Sequence, residues 1–287
     1  MIVPVQRSSE KHKFILVANQ YVSLINKPNS IPVYQIGAII EMVNALYENN
    51  LWEKCIAIYP FAGDTLEKNS LNLIDPSKYK ISWSGSINSN RFGITGNGGT
   101  GFTNIPLKML LDFKNVHLSC YVRTPILNTS GSGRLIGVNT KNNALAIRDS
   151  AALEINFNKQ DGIVGFVYNV LNNIGGFGKK YSDMQEEGAT GQGFFIANNN
   201  SATKDAKCYL NNNIFGSQFP LLPTEIHPEN NRKLTIFGNG YDNLFNTDSL
   251  RANIAFASIG YGLNSDDIYN FNKIIQSFQV AMDRSVL

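Results

Sequence analysis

Acidic side chains are the first residues in this sequence that suggest chemistry. A glycosidase holds two carboxyl groups roughly 5–10 Å apart across the bond that it cleaves, which on one strand requires acids two or four residues apart. Glu154 lies in a candidate strand that continues with Ile155-Asn156-Phe157-Asn158, so no second acid points to the same side. Asp183, Glu186 and Glu187 lie in a turn-like stretch, which favours a solvated loop. The sequence therefore predicts that the protein is not an enzyme, unless distant strands bring two acids together.

Two further patterns have both a chemical and a structural interpretation. His12, His117 and His227 are separated from any Ser, Cys or Asp arrangement typical of nucleophilic catalysis, which favours structural or solvent-exposed roles. Residues 96–101 read Gly-Asn-Gly-Gly-Thr-Gly, but they lack the Lys-Ser/Thr ending of a phosphate-binding loop, and no helical pattern follows. We interpret this stretch as a turn.

Candidate ligand-binding residues are few. Asp242 and Asp248, with the asparagines around them, offer oxygen ligands for calcium but have no ordered spacing. The sequence therefore predicts no bound metal and no other cofactor. Phe177, Tyr181 and Tyr241 are candidate aromatic contacts for a glycan.

Composition excludes several classes of protein. The chain has 287 residues, of which 43% are hydrophobic, and this is enough for a sizeable core. A net charge of +3 with 16% charged residues argues against nucleic-acid binding through bulk charge. No apolar run approaches the roughly 18 residues of a membrane span, and residues 1–10 lack the core of a signal peptide. Cys55, Cys120 and Cys208 are far apart, which predicts free buried thiols.

The C-terminal stretch has the clearest structural pattern. Residues 253–259 alternate apolar residues with small or polar ones, which predicts a half-buried strand. Beyond residue 262, Asn264 or Ser265 can cap a helix, and Leu263 and Ile268 are placed as a hydrophobic staple. Apolar residues at steps of three and four then predict an amphipathic helix whose apolar stripe packs against another part of the protein. The stripe consists of Ile268, Phe271, Ile275, Phe278 and Met282.

Residues 79–262 contain short apolar runs separated by Gly and Asn turns. About a dozen strands without interleaved helices predict a two-sheet antiparallel sandwich of the jelly-roll kind. Asp161-Gly162 and Asn211-Asn212-Asn213 predict hairpin turns. The candidate strands are residues 80–84, 91–95, 116–124, 134–138, 143–147, 152–158, 163–170, 193–197, 206–210, 214–216 and 233–238.

The N-terminal region contains one clear helix and one ambiguous segment. From residue 36 onward an apolar face predicts a helix that ends at Asn49-Asn50: Ile36, Ile39, Ile40, Val43, Leu46 and Tyr47. Residues 13–18 and 21–25 are compatible with strands, although prolines interrupt their surroundings. Residues 1–35 are either an arm that docks on another subunit or one or two strands added to the main sheet. Trp52, Tyr59 and Phe61 are either a sugar platform or, as we favour, buried packing.

Two stretches resemble the signatures of a known family. Residues 257–267 read Ala-Ser-Ile-Gly-Tyr-Gly-Leu-Asn-Ser-Asp-Asp, followed by Ile275-Gln276-Ser277-Phe278-Gln279 and Asp283-Arg284. Residues 51–63, from Leu-Trp-Glu-Lys to Tyr-Pro-Phe-Ala-Gly, form the second stretch. Both are similar to bacteriophage virion proteins that carry a concanavalin A-like (LamG-like) jelly-roll domain and occur in tails, fibres, collars and related components. The resemblance covers residues 36–287, with Asn50 and Asp283 at positions where the family has Gly.

The resemblance implies a domain order and a function. We expect an N-terminal arm at 1–35, a helix and lead-in at 36–59, the jelly-roll sandwich at 60–262, and a C-terminal helix packed on it at 263–287. The implied function is a non-enzymatic structural component of the virion, made in the bacterial host cytoplasm, whose partners are other virion proteins and copies of itself. The alternatives are a module that recognises a host surface glycan and a glycan-degrading depolymerase.

Overall fold

The computed structural model describes residues 4–105, 115–124, 133–139, 152–158, 163–166, 179–180, 191–203, 205–214, 219–220, 234–237 and 252–287. Its helices are α1 (Pro4–Ile25), α2 (Val33–Glu48), α3 (Leu66–Asn69) and α4 (Ser265–Ala281), with a 3-10 turn at Trp52–Lys54. Its strands are β1 (Cys55–Tyr59), β2 (Ser82–Ser84), β3 (Ile87–Asn90), β4 (Gly93–Gly96), β5 (Thr100–Phe102), β6 (Val116–Val122), β7 (Gly133–Asn139), β8 (Ala152–Asn158), β9 (Ile163–Phe166), β10 (Lys179–Lys180), β11 (Gly193–Asn200), β12 (Asp205–Leu210), β13 (Asn213–Ile214), β14 (Phe219–Pro220), β15 (Thr235–Ile236) and β16 (Asn253–Tyr261).

The strands form two antiparallel sheets, which confirms the predicted sandwich. Sheet A has nine strands in the order β13-β12-β11-β6-β16-β4-β3, with β1 paired to β16 and β14 paired to β12. Sheet B has seven strands in the order β10-β9-β8-β7-β15-β5-β2. Because β16 pairs with β6, β4 and β1, it holds together segments from both ends and the middle of the chain.

The central strands of sheet A are buried on both faces. One side of β6 places Leu118 and Cys120 in the core between the two sheets. The other side carries His117, Ser119 and Tyr121, which are also fully buried. Residues 253–260 of β16 are buried without exception, so the expectation of a half-buried strand is wrong. A further layer must therefore cover this outer face.

Helices α1, α2 and α4 form that layer. Its core includes Phe271 of α4, which makes edge-on ring contacts with Phe194 of β11 and Phe256 of β16 at centroid distances of 5.4 and 6.2 Å. All five residues of the stripe predicted for the C-terminal helix are buried, as are Leu263 and Met42. The predicted C-terminal helix and its packing on the sandwich are thus confirmed.

The N-terminal segment is helical. Residues 13–18 and 21–25 both lie within α1, so their interpretation as strands is wrong. The buried residues of α1 are spaced by three and four, the period of a helix: Ala18, Tyr21, Val22 and Ile25. They pack in the same cluster as Ile39 and Val43 of α2. Whether the segment also docks on another subunit stays a prediction.

Both predicted hairpins join paired strands. Asn211 and Asn212 connect β12 to β13 with φ angles of 49° and 74°, the left-handed conformation that asparagine tolerates best among residues with side chains. Asp161-Gly162 lies outside the described residues, but Asn158 of β8 pairs with Ile163 of β9 on either side of it. Candidate strand 143–147 also lies outside the described residues.

We expect Asn264→Ala to lower the free energy of unfolding by about 1 kcal/mol. The side chain of Asn264 accepts a hydrogen bond from the amide of Asp267, and the Asp267 carboxylate accepts one from the amide of Asn264, both at 2.9 Å. This capping box satisfies amides at the start of α4. Urea denaturation would measure the loss, with Ser265→Ala, an exposed neighbour, as the control. Equal stability of the two variants would contradict the cap's role.

Candidate functional site

The outer surface of the helical layer carries most of the exposed large apolar side chains of the described residues. Leu16 of α1, Val33 of α2 and Val280 of α4 are 58%, 83% and 65% exposed. Leu24, Tyr34 and Tyr269 are further exposed residues on the same three helices. Single exposed apolar residues are ordinary, but six of them on the three helices of one layer make this layer a candidate surface for contact with another protein.

A groove runs between α2 and α4 on this layer. It has a volume of about 340 Å³, and small side chains open it, including Ala45 of α2 with Ser277 and Ala281 of α4. Glu41 and Lys273 also line it and supply one charge of each sign. The groove therefore offers an apolar floor with polar edges, a composition that suits a peptide segment better than a compact ion.

The buried guanidinium of Arg284 ties the C-terminal end of the helical layer to the sandwich. Its Nη1 donates to the carbonyl oxygens of Pro60 and Phe61 at 3.2 and 3.1 Å, and its Nη2 donates to Pro60 at 3.2 Å. Phe61 has a φ of 45°, a rare conformation for an aromatic residue. Burial, and next the charge of Arg123, lower the pKa of Arg284 to about 9. Arg284 therefore stabilises an unusual turn at a considerable cost in desolvation.

His117 lies in a buried polar network beneath α4. Its Nδ1 is 2.6 Å from the carbonyl oxygen of Tyr261, so Nδ1 carries the proton and Nε2 accepts from the Ser258 hydroxyl at 3.3 Å. Ser119 lies 2.7 Å from Ser258, oxygen to oxygen. The sequence did not indicate this contact between histidine and serine. All three side chains are fully buried, so the network joins β6 to β16 and is closed to a substrate.

The sequence-predicted site residues have different outcomes. Trp52, Tyr59 and Phe61 are buried. This confirms that they pack in the interior and do not form an exposed platform for a sugar. Residues 96–101 form the end of β4, a turn and the start of β5, as expected of a structural turn. Several candidates lie outside the described residues or in positions whose side chains are not described: Phe177, Tyr181, Tyr241, Asp242, Asp248, Asp183, Glu186, Glu187, Glu154, His12 and His227.

The described part of the chain has neither a cluster of metal-ligating residues nor a helix suited to span a membrane. Within it, no group of three or more His, Cys, Asp or Glu residues is placed to hold a metal ion. None of its helices combines the length and apolar character that crossing a membrane requires.

Sequence reasoning missed the exposed apolar residues because it read each helix for its inward face. Tyr269 and Val280 lie outside the buried stripe of α4, and large apolar residues in such positions were the available signal. Leu16 and Leu24 had no helix assigned to them, so their orientation could not be inferred.

Comparison with known proteins supports the fold and no closer relationship. No protein-family model matches the sequence, and no curated protein matches it significantly. A Trypanosoma rangeli sialidase in complex with 2-keto-3-deoxy-D-glycero-D-galacto-2,3-difluoro-nononic acid is similar with a TM-score of 0.50 and 9% identity, over 83% of this chain and 39% of the sialidase. Botulinum neurotoxin type C, described as depending on two ganglioside molecules for cell entry, has a TM-score of 0.50 and 16% identity, over 78% of this chain and 52% of its own. The protein thus shares the β-sandwich fold of these neighbours and spans about half or less of their length.

We expect the stability of the protein to fall on acidification because of His117. Burial lowers the pKa of His117 to about 4, below its ordinary value near 6.5. The folded state therefore favours the neutral ring, and this contribution is complete above about pH 6.5 and is lost between about pH 6.5 and 4. The loss is on the order of 3 kcal/mol.

Denaturation of the wild type and His117→Asn at about pH 7.5 and about pH 4.5 would measure this contribution. The asparagine amide can still donate to Tyr261 but does not titrate, so the variant should lose less stability in acid. Parallel losses in both proteins would show that other groups control the acid response.

Proposed function

We propose that this protein is a non-enzymatic structural component of a bacteriophage particle, attached through its helical layer and displaying its sandwich. The observation that carries the proposal is the concentration of exposed apolar side chains on α1, α2 and α4, on the side of sheet A away from the second sheet. Its localisation is then the virion, and its partners are other virion proteins and copies of itself.

The local chemistry of the two family-like motifs supports the proposal. Asn50 and Asp283 occupy the positions where the family has Gly, and their φ angles are 55° and 58°. Each follows a helix in a Schellman motif, in which the amide of Leu51 donates to Leu46 and that of Arg284 donates to Gln279. Gly is the usual residue at such positions, and Asn and Asp are the side chains that replace it most easily. The substitutions are therefore compatible with the same backbone.

The buried state of the described polar clusters supports the non-enzymatic part of the proposal. The contact of His117 with Ser258 is of a kind used in nucleophilic catalysis, and both side chains are fully buried. Release of reducing sugars from host polysaccharide by the purified protein would overturn this part.

We expect Leu16→Glu and Val280→Glu to abolish attachment, because each places a charge in the apolar surface at a position that is already exposed. Ile214→Glu is the matched control, since Ile214 is 57% exposed but lies on β13. Light scattering would measure the mass of the full-length protein, and incorporation into particles would measure binding to other virion proteins. Helix variants that keep both the wild-type mass and wild-type incorporation would contradict the proposal.

Point substitutions are a cleaner test than removal of residues 1–35. Tyr21 and Ile25 of that segment are fully buried against α2, so deletion would expose the core of the helical layer. Loss of attachment in a truncated protein would then report unfolding as readily as loss of a contact.

Carbohydrate recognition is the second candidate function. It is favoured by the shared fold with a sialidase that was solved with a sugar acid and with a neurotoxin whose cell entry depends on gangliosides. This function is compatible with the first, because a displayed sandwich can carry a binding site on surfaces that the helical layer leaves open.

A further inference from the structure

The tip of the β3–β4 hairpin presents a cation and an aromatic ring in a fixed position. Asn90 pairs with Gly93, so Arg91 and Phe92 form a two-residue loop, and the amide of Phe92 donates to the side chain of Asn90 at 2.8 Å. Gly93 has a φ of 125°, and a Cβ on it would lie 2.3 Å from the carbonyl oxygen of Ile254. The hairpin is therefore pressed against β16, and no side chain could replace this glycine without moving it.

A second guanidinium, that of Arg123, contacts the same ring from the segment that follows β6. The guanidinium carbon of Arg91 is 4.6 Å from the centre of the Phe92 ring, and that of Arg123, just beyond β6, is 5.0 Å from it. Arg123 is anchored, because its Nε donates to the carbonyl oxygen of Arg284 at 3.0 Å and its own carbonyl accepts from the Gln192 amide. Within the described residues no hydrogen bond involves the two terminal nitrogens of Arg123, so both are offered to another acceptor.

The charges around this ring are not balanced by carboxylates of the described chain. No ion pair within the described residues involves Arg91 or Arg123. Asp283 lies near enough for its negative charge to favour the charged form of Arg123, but it forms no such pair. The buried guanidinium of Arg284 adds a third positive charge. Among the described residues, three guanidiniums and one nearby acid give this surface a positive potential, with Arg91 exposed and Phe92 and Arg123 half-buried.

We propose that Arg91, Phe92 and Arg123 form a binding site for the carboxylate of an acidic saccharide. A guanidinium presents planar pairs of donors that match both oxygens of a carboxylate, and the structure places two guanidinium carbons within 5.0 Å of the centre of one ring. The exposed part of the Phe92 ring provides apolar surface for the carbon skeleton of the sugar. The proposal deepens the second function above and rests on it, because it names the site and the ligand class.

The test is a titration of the full-length protein with saccharides that differ in their acidic group. Sialyllactose and trigalacturonic acid are the carboxylate probes, lactose is the neutral probe and sulfated lactose is the probe for a different anion. We expect the carboxylate probes to bind at least about 10-fold more tightly than lactose, since a charge-assisted hydrogen bond contributes at least that factor. Added salt should weaken binding of the carboxylate probes.

Arg91→Gln should weaken binding of the carboxylate probes by about 10-fold or more, because it removes a charged donor from an exposed loop without disturbing the core. Arg123→Lys keeps the charge but loses the planar fork, so it should also weaken binding. Lys80→Gln removes the same charge from an exposed residue ahead of β2 in the other sheet and should leave binding unchanged.

Each alternative result identifies what has failed. If the wild type binds lactose as tightly as the carboxylate probes, or if Arg91→Gln and Arg123→Lys bind like the wild type, the site is wrong while carbohydrate recognition stands. Equal binding of sulfated lactose would overturn the assignment to a carboxylate. If no saccharide binds at all, both the site and the second function are wrong.

Discussion

The fold depends on covering the outer face of sheet A. Its central strands carry large apolar and aromatic side chains on both faces, and Phe194, Phe256 and Tyr121 all point away from the second sheet into the helical layer. Burying one such side chain is worth roughly 2–3 kcal/mol, so an uncovered sheet would lose much of the stability of the domain. This constraint makes α1, α2 and α4 part of the domain core, and it leaves their outer surface free to serve another purpose.

The polar groups within that core follow from the same constraint. Once α4 and the C-terminal residues cover the sheet, His117 and Arg284 lose contact with water, and each needs protein acceptors. His117 obtains them from Tyr261 and Ser258, and Arg284 obtains them from Pro60 and Phe61. The Arg284 contacts join the end of α4 to the segment after β1 and so specify how the helical layer sits on the sandwich, whereas the His117 contacts fix β6 against β16.

Local patterns predicted those elements whose signals are complete within a few residues. The capped helix α4, the Asn211-Asn212 turn and the strand at 152–158 are examples, since a cap, a left-handed turn residue or an alternation is visible in sequence. Helix α1 was missed because its apolar residues are compatible with both periods until their partners in α2 are known. Strand β6 was predicted as part of residues 116–124, but burial of its second face depends on a helix far away in sequence.

The candidate site at the hairpin tip illustrates why binding residues were harder to find than strands. Arg91-Phe92 is an ordinary dipeptide, and Arg123 appeared only as part of the candidate strand 116–124. These residues become a candidate site only in the folded protein, where β4 and β6 pair with the same strand, β16, and both guanidiniums lie close to one ring. The ring lies at the tip of the β3–β4 hairpin, whereas the apolar residues proposed for attachment lie on α1, α2 and α4, so the two proposals name residues on different elements. A single domain can therefore be fixed in an assembly on one side and bind a ligand at the ends of its strands.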